Sequence, residues 1–309
     1  MVKAVLAVVG PTATGKSDLG IALAEQLGGE VVNADASQLY RGMDIGTAKV
    51  PEDERRGIPH HQLDVLEVTE EASVAAYQRA ARGDIAAIRA RGNHPVLVGG
   101  SGLYVRAALD VLDIPPTDPL TRARIQAEAD ELGTAAMFER LQAADPVAAQ
   151  AIEANNARRI VRALEVIELT GRPFSATMPT REYVTDTVVV GLRLPREQLD
   201  ERIGARVRRM WDDGLLDDVR RLERRGLREG RTASRALGYA QALAELDGTM
   251  TTAQAQEQTT TMTRRFARRQ ESWFTPDPRI HWLDSTAPDL LEQALTRVAA
   301  AIGDNGAHG

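Results

Sequence analysis

The sequence predicts an α/β fold: a parallel sheet covered by helices, interrupted by an all-helical insertion. Three observations carry that expectation. Short valine-rich apolar runs alternate with helical segments through the N-terminal third. A glycine-rich phosphate-loop signature sits between the first run and the first helix. A proline-rich break at Ile114-Pro115-Pro116-Thr117-Asp118-Pro119 opens a stretch of helices without strands.

The elements follow in order. Residues 2–9 are continuously apolar with β-branched valines, as for a strand buried on both faces. Asp18 to Leu27 reads as a helix closed by Gly28-Gly29. Glu30 to Ala34 is a second strand, 73–91 an alanine-rich helix ending at Gly92, and His94 to Val98 a third strand running into Gly99-Gly100-Ser101-Gly102. Beyond the proline-rich break, helices are expected at 119–132, 134–143, 146–152 and 157–170. A strand returns at Thr187 to Leu194. Helices follow at 196–213, 215–225, 233–246 and 251–274, then a short strand at Arg279 to Leu283 and a helix at 288–302. The expected organisation is a core of 1–112 and 183–303, a helical insertion at 113–182, and a disordered tail at 304–309. No internal repeat is visible.

Composition narrows the class. The 309 residues are 43% hydrophobic and 27% charged, ordinary for a globular protein. The absence of cysteine excludes disulfides and thiolate metal sites. No apolar stretch approaches the roughly 20 residues of a membrane span, and the first apolar run turns at Gly10-Pro11 without the features of a signal peptide. A cytoplasmic protein with no membrane partner is expected. The net charge of −6 argues against nucleic acid as a global statement, but binding depends on where positive charge sits. Lys3, Lys16 and Lys49 are the only lysines, and arginines cluster at 202–235 and 264–269. Such clusters suit bidentate phosphate contacts, or are simply solvated helix faces.

Gly10-Pro11-Thr12-Ala13-Thr14-Gly15-Lys16-Ser17 matches G-x-x-x-x-G-K-[ST] between an apolar strand and a helix. The glycines let successive N–H groups face one anion, and the helix N-terminus adds its positive dipole end. Lys16 supplies a point charge, and the Ser17 hydroxyl can reach Mg²⁺. The motif implies bound polyphosphate and a P-loop core of the NTPase or kinase type. It leaves open whether the ligand is a nucleotide or a pyrophosphate ester. Asp35 follows the second strand, at the sheet edge where ligands bind. A carboxylate there can serve as a general base or hold Mg²⁺ through water, or it can cap a helix beginning at Ser37. Ser101 follows the third strand in a glycine-rich turn and faces the same crevice. His60-His61 invites a metal reading, but adjacent side chains point apart, which favours a structural role.

These segments together resemble the tRNA dimethylallyltransferases, also called tRNA isopentenyltransferases. The resemblance rests on the phosphate loop and on Asp35-Ala36-Ser37-Gln38-Leu39-Tyr40-Arg41-Gly42-Met43-Asp44-Ile45-Gly46-Thr47-Ala48-Lys49. Pro59-His60-His61 with Leu63-Asp64, Gly99 to Tyr104, Asn155 to Glu165, Gly238-Tyr239 and Thr263 to Phe274 extend it over most of the chain. Ser101 stands where many members have threonine, and Asn156 where aspartate is usual. The resemblance implies transfer of a dimethylallyl group from dimethylallyl diphosphate to N6 of adenine 37, beside the tRNA anticodon, with Mg²⁺ and by a monomer. It implies Asp35 as general base, Ser101 beside the reacting centre, and Lys16 with Gly10, Thr12, Ala13, Thr14, Gly15 and Ser17 on the donor diphosphate, Ser17 also toward the metal. Contact with tRNA is implied for Asp35, Ala36, Ser37, Gln38, Ser101, Arg124 and the run Arg158, Arg159, Ile160, Val161, Arg162.

The chemistry is consistent with those residue types. An aryl amine is a weak nucleophile, so the reaction needs a stabilised leaving group and a positioned acceptor. Arg158 and Arg162 lie one turn apart on a helix, a spacing that can grip an RNA backbone or can be a solvated face. The arginines at 264–269, followed by Trp273-Phe274, either bind tRNA phosphate or pair within the fold while the aromatics anchor the core. The alternative function is a P-loop kinase acting on a nucleotide or small metabolite, with Asp35 as base on a hydroxyl.

Overall fold

The computed structural model describes residues 3–177 and 180–306. Along the chain run β1 (Val5–Val9), α1 (Lys16–Leu27), β2 (Gly29–Asn33), β3 (His60–His61), α2 (Val74–Ala90), β4 (His94–Gly99), α3 (Gly102–Leu109), α4 (Pro119–Ala144), α5 (Pro146–Ala151), α6 (Ala157–Thr170), β5 (Thr187–Arg193), α7 (Arg196–Asp212), α8 (Leu215–Glu223), α9 (Tyr239–Leu246), α10 (Thr252–Phe274), β6 (Ile280–Asp284) and α11 (Leu290–Gly306). Contacts divide the chain into two compact units, Met1–Leu109 with Thr185–Gly309, and Asp110–Val184.

The first unit is built on a six-stranded sheet in the order β3-β2-β4-β1-β5-β6. Every pairing is parallel. Strands β1, β2 and β4 are buried along their whole length; β1 accordingly reads as an unbroken apolar run, whereas β2 and β4 combine valine-rich centres with the buried polar residues Glu30, Asn33 and His94. Leu6, Val8, Val96, Val98 and Val190 pack with Leu19 and Leu23 of α1 and with Ala294 and Val298 of α11. A second cluster joins Tyr40, Met43 and Val68 to Leu215, Val219 and Leu222 of α8 and to Tyr239 of α9. β4 lies between β2 and β1, so the segments leaving these three strands are neighbours at one edge.

Several local readings are corrected. The first helix begins at Lys16, because the last two residues of the phosphate loop already belong to it. The helix expected over 233–246 is a 3₁₀ turn at Ala233–Arg235 followed by α9, broken where Gly238 adopts φ 87°. The chain of the expected 304–309 tail continues α11 through Gly306, and 307–309 lie outside the described residues. The two-residue strand β3 was not anticipated; it pairs with Val31 and Val32. No described helix is long and apolar enough to cross a membrane.

In the second unit α4, α5 and α6 enclose Ile125, Met137, Leu141, Ile160 and Leu164. The two helices expected at 119–132 and 134–143 form α4, interrupted at Gly133 with φ 84° and ψ 158°. Glu165 is fully buried and accepts from Thr117 Oγ1 at 2.6 Å and from the Asp118 N–H at 3.0 Å. Arg162 donates to Glu165 at 2.8 Å and to the carbonyl oxygens of Pro115 at 2.8 Å and Pro116 at 3.0 Å. The proline-rich segment is thus tied to α6.

Glu30 supplies a test of the sheet's edge. It is 4% exposed and accepts from Arg91 at 2.7 Å, Asn93 at 2.8 Å and His61 at 2.6 Å. The Arg91 guanidinium, opposed by burial and aided by Asn93 and His61, holds its carboxyl down at about 2. A depressed carboxylate stabilises the fold above its unfolded pKa, and that contribution fades as pH falls toward the folded value. Denaturant unfolding of Glu30→Gln should show a loss on the order of 2 kcal/mol at neutral pH, shrinking between about pH 4.5 and 2.

Candidate functional site

The phosphate loop leaves β1 with Gly10 at φ 135°, and a Cβ there would lie 2.5 Å from the Leu192 carbonyl oxygen. Only glycine allows this close crossing of β5. Ala13 at φ 65° and Gly15 at φ 82° complete the curl into α1. Thr14 is 1% exposed and its hydroxyl donates to Pro11 O at 2.8 Å, closing the loop from inside. Thr12 is held from two sides. Its N–H donates to Gln270 Oε1 at 2.8 Å, and its hydroxyl accepts from Arg206 Nη1 at 2.9 Å.

The loop borders a cavity of about 510 Å³ whose wall includes Thr12, Ala13, Gly15, Lys16, Ser17, Asp35, Gln38, Gly99 and Gly100. The lining also includes Asp44, Ile45, Thr47 to Pro51, and Arg206, Arg209, Met210 and Asp213 of α7 and its end. The Lys16 ammonium donates to Pro11 O. Burial pushes its pKa down to about 8; nearby Asp35 opposes that shift and Arg206 reinforces it. Burial also lowers Arg206, against the pull of Asp35. One carboxylate therefore acts on two buried cations, an arrangement with the charge to receive an anion.

Asp35 performs the capping role left open by the sequence. Its Oδ1 accepts from the Ser37 N–H at 2.9 Å at the start of the 3₁₀ turn Ala36–Leu39. The cap fixes the carboxylate at the cavity wall, so capping and chemistry are compatible. Gln38 donates to Thr47 O at 3.1 Å. Ser101, expected to face the crevice, follows Gly100 of the cavity wall but does not line it; its hydroxyl is turned to the Ala36 N–H, from which it accepts at 3.2 Å. The loops after β2 and β4 are thereby tied together.

Sequence reasoning missed Arg206, Arg209 and the role of Lys49. Arg202, Arg206, Arg209 and Asp213 recur at helical spacing on α7 and at its end, a stripe hidden among many other arginines. Lys49 donates to Tyr40 O at 2.9 Å, Asp44 at 2.7 Å and Asp64 at 2.6 Å, pinning the 44–51 segment of the wall. His60 Nδ1 lies 2.8 Å from Ile58 O, while His61 meets Glu30.

The remaining candidates lie in the second unit. Arg158 and Arg159 are exposed on α6, which Asn156 caps by accepting from the Arg159 N–H at 3.2 Å. Ile160 and Val161, expected at the RNA, are 0% and 3% exposed and belong to that unit's core. Helical period turns them away from the arginines beside them. Arg162 is engaged with Glu165 and the proline carbonyls, and Arg124 with Glu128 and Glu168. In the first unit Arg264 donates to Asp200 O at 3.1 Å, whereas Arg265, Arg268 and Arg269 are exposed. Phe274 is a core residue at 3% exposure, but Trp273 is 41% exposed.

No group of three or more His, Asp or Glu among the described residues is arranged to hold an ion. The wall does offer the Ser17 hydroxyl and the Asp35 carboxylate. Few hard oxygen donors beside a phosphate site fit Mg²⁺, which keeps water and substrate oxygens in its shell.

A family profile described as IPP transferase matches residues 38–277, more than half of the chain. A tRNA dimethylallyltransferase of Streptomyces avermitilis is 62% identical over 288 residues, covering 93% of this chain and 92% of that protein. The crystal structure of the full-length tRNA isopentenylpyrophosphate transferase of Bacillus halodurans is 38% identical, with a TM-score of 0.71 over 97% of this chain and 96% of that one. A eukaryotic dimethylallyltransferase captured acting on tRNA is 27% identical, with a TM-score of 0.81 over 98% of this chain and 79% of that one.

The state of Lys16 gives a direct test. Its ammonium is lost above about pH 8 in the unliganded protein. Calorimetric binding of inorganic pyrophosphate should weaken about tenfold between pH 7.5 and 9. Lys16→Arg, which keeps its charge across that range, should flatten the dependence.

Proposed function

We propose that this chain, which belongs to the IPP transferase family, transfers a dimethylallyl group from dimethylallyl diphosphate to N6 of the adenine beside a tRNA anticodon. The observation that carries the reading is one cavity in which Asp35 stands within electrostatic reach of Lys16 and Arg206.

The donor diphosphate lies on the phosphate loop, held by Lys16, by Arg206 and by the N-terminus of α1. These charges stabilise the negative charge that grows on the leaving group. The Ser17 hydroxyl would help to hold Mg²⁺, which would add to the neutralisation of the diphosphate. The N6 lone pair forms the new C–N bond as the C1–O bond breaks. Diphosphate departs with the electron pair, and Asp35 takes the N6 proton. The adenine enters the cavity flipped out of the anticodon loop, since a stacked base cannot present N6. Ser101 and Gln38 hold the Asp35 turn against the acceptor. On the second unit, exposed Arg158 and Arg159 contact RNA phosphate, and the protein works as a monomer in the cytoplasm.

The test is transfer of labelled dimethylallyl diphosphate to unmodified tRNA. Wild type should label tRNA, and Asp35→Asn should lose about 10²- to 10⁴-fold in rate with tRNA binding retained. Phosphate transfer from ATP to a small acceptor, with no labelled tRNA, would favour the kinase reading instead. Arg158→Ala with Arg159→Ala should weaken tRNA binding and lower the slope of log affinity against log salt by about 1 to 2. An unchanged slope would remove these arginines from the interface.

A further inference from the structure

We infer that Gln270 of α10 is a positioning residue that sets the spacing between the phosphate loop and the loop carrying Ser101. The inference rests on the proposed transfer reaction and assigns it a residue that touches neither substrate.

Gln270 is 4% exposed, and both ends of its carboxamide are used. Oε1 accepts from the Thr12 N–H at 2.8 Å, and Nε2 donates to Gly100 O at 2.9 Å. The partners are backbone groups of two different loops, leaving β1 and β4. Each loop leads to reacting groups. Thr12 receives Arg206 on its hydroxyl, on the donor side. Gly100 leads to Ser101, whose hydroxyl accepts from Ala36 beside Asp35, on the acceptor side.

A carboxamide is the one common side chain that presents a neutral acceptor and a neutral donor side by side. Glutamate retains the acceptor and loses the donor; leucine retains the approximate volume and loses both. The fit around the amide is close: a Cβ on Gly100 would collide with Gln270 Nε2. One turn further along, Trp273 covers Gly102 so closely that a Cβ there would meet its indole, and Arg106 stacks on that ring at 5.3 Å. One turn back, Ala267 is fully buried with Leu199 and Ile203, against which Ala13 of the phosphate loop packs. One face of α10 thus backs both loops. The Thr12 N–H, which a phosphate loop would otherwise offer to its anion, is committed to this link.

In-line displacement is steep in the distance between carbon and nitrogen, and a misplacement of about 1 Å can cost about 10²-fold. The experiment is single-turnover transfer by the full chain with saturating donor and tRNA, comparing wild type, Gln270→Leu and Gln270→Glu. Dissociation constants for pyrophosphate and tRNA and the melting temperature are measured on the same samples. The leucine variant should lose about 10²-fold in rate while both dissociation constants stay within about threefold of wild type. The glutamate variant should lose rate as well, because its carboxylate still accepts from Thr12 but turns an oxygen with no proton toward the Gly100 carbonyl. Rates within about threefold of wild type in both variants overturn the inference. So does a rise of more than about tenfold in either dissociation constant, which would make Gln270 a binding residue. If the leucine variant does not fold, the near-isosteric glutamate variant decides by the same criteria. Wild type that transfers nothing overturns the proposed function and this inference with it; wild-type transfer with unaffected variants overturns the inference alone.

Discussion

Strand β4 pairs with β1 on one side and β2 on the other, all in parallel, and the cavity beside the phosphate loop follows from that pairing. Parallel strands deliver their carboxyl ends to the same edge. The phosphate loop, the Asp35 turn and the Gly100-Ser101 turn therefore emerge side by side, although residues far apart in the chain form them. Backbone bonds reinforce the junction: Ala34 N–H donates to Val98 O at 2.7 Å, and Ser101 N–H to Ala34 O at 3.3 Å. The strands are buried on both faces, so their register cannot slip without moving apolar side chains out of the core.

On this rigid edge the electrostatics are unfavourable by design. Lys16 and Arg206 are cations whose burial lowers their pKa, and Asp35 offsets the cost only in part. A well-paired cluster would be more stable and less receptive. Lys49 illustrates the contrast: with Asp44 and Asp64 it forms a satisfied group that fixes the 44–51 segment of the wall. The same residue type, in one cavity, is fully paired where two carboxylates meet it and is held with a lowered pKa where it is buried beside another cation.

The second unit separates these roles along one helix. Arg162 is consumed by Glu165 and by the carbonyls of Pro115 and Pro116, and Ile160 and Val161 by the core. Arg158 and Arg159 remain at the surface beside a capped helix N-terminus. A run of basic and apolar residues that looks uniform in sequence is divided among three environments by the helical period.

The sequence alone determined whatever depends on near neighbours. A continuous apolar run means a strand buried on both faces. A glycine-rich turn ending in lysine and serine between an apolar run and a helical pattern means a loop that curls from strand into helix. The proline-rich break and the helices after it mark the insertion. Gly238 shows the limit of such reading: helical composition on both sides hid a break that a single positive φ imposes. Tertiary structure alone decided which distant groups meet. Gln270 stands 258 residues from Thr12 and 170 from Gly100, and nothing in its local pattern marks it as their link. Arg206 was one arginine among many until α7 turned it toward Thr12. Helical and strand periods are short-range properties of the chain, whereas the match of one carboxamide to two backbone groups exists only after the sheet has brought their loops together.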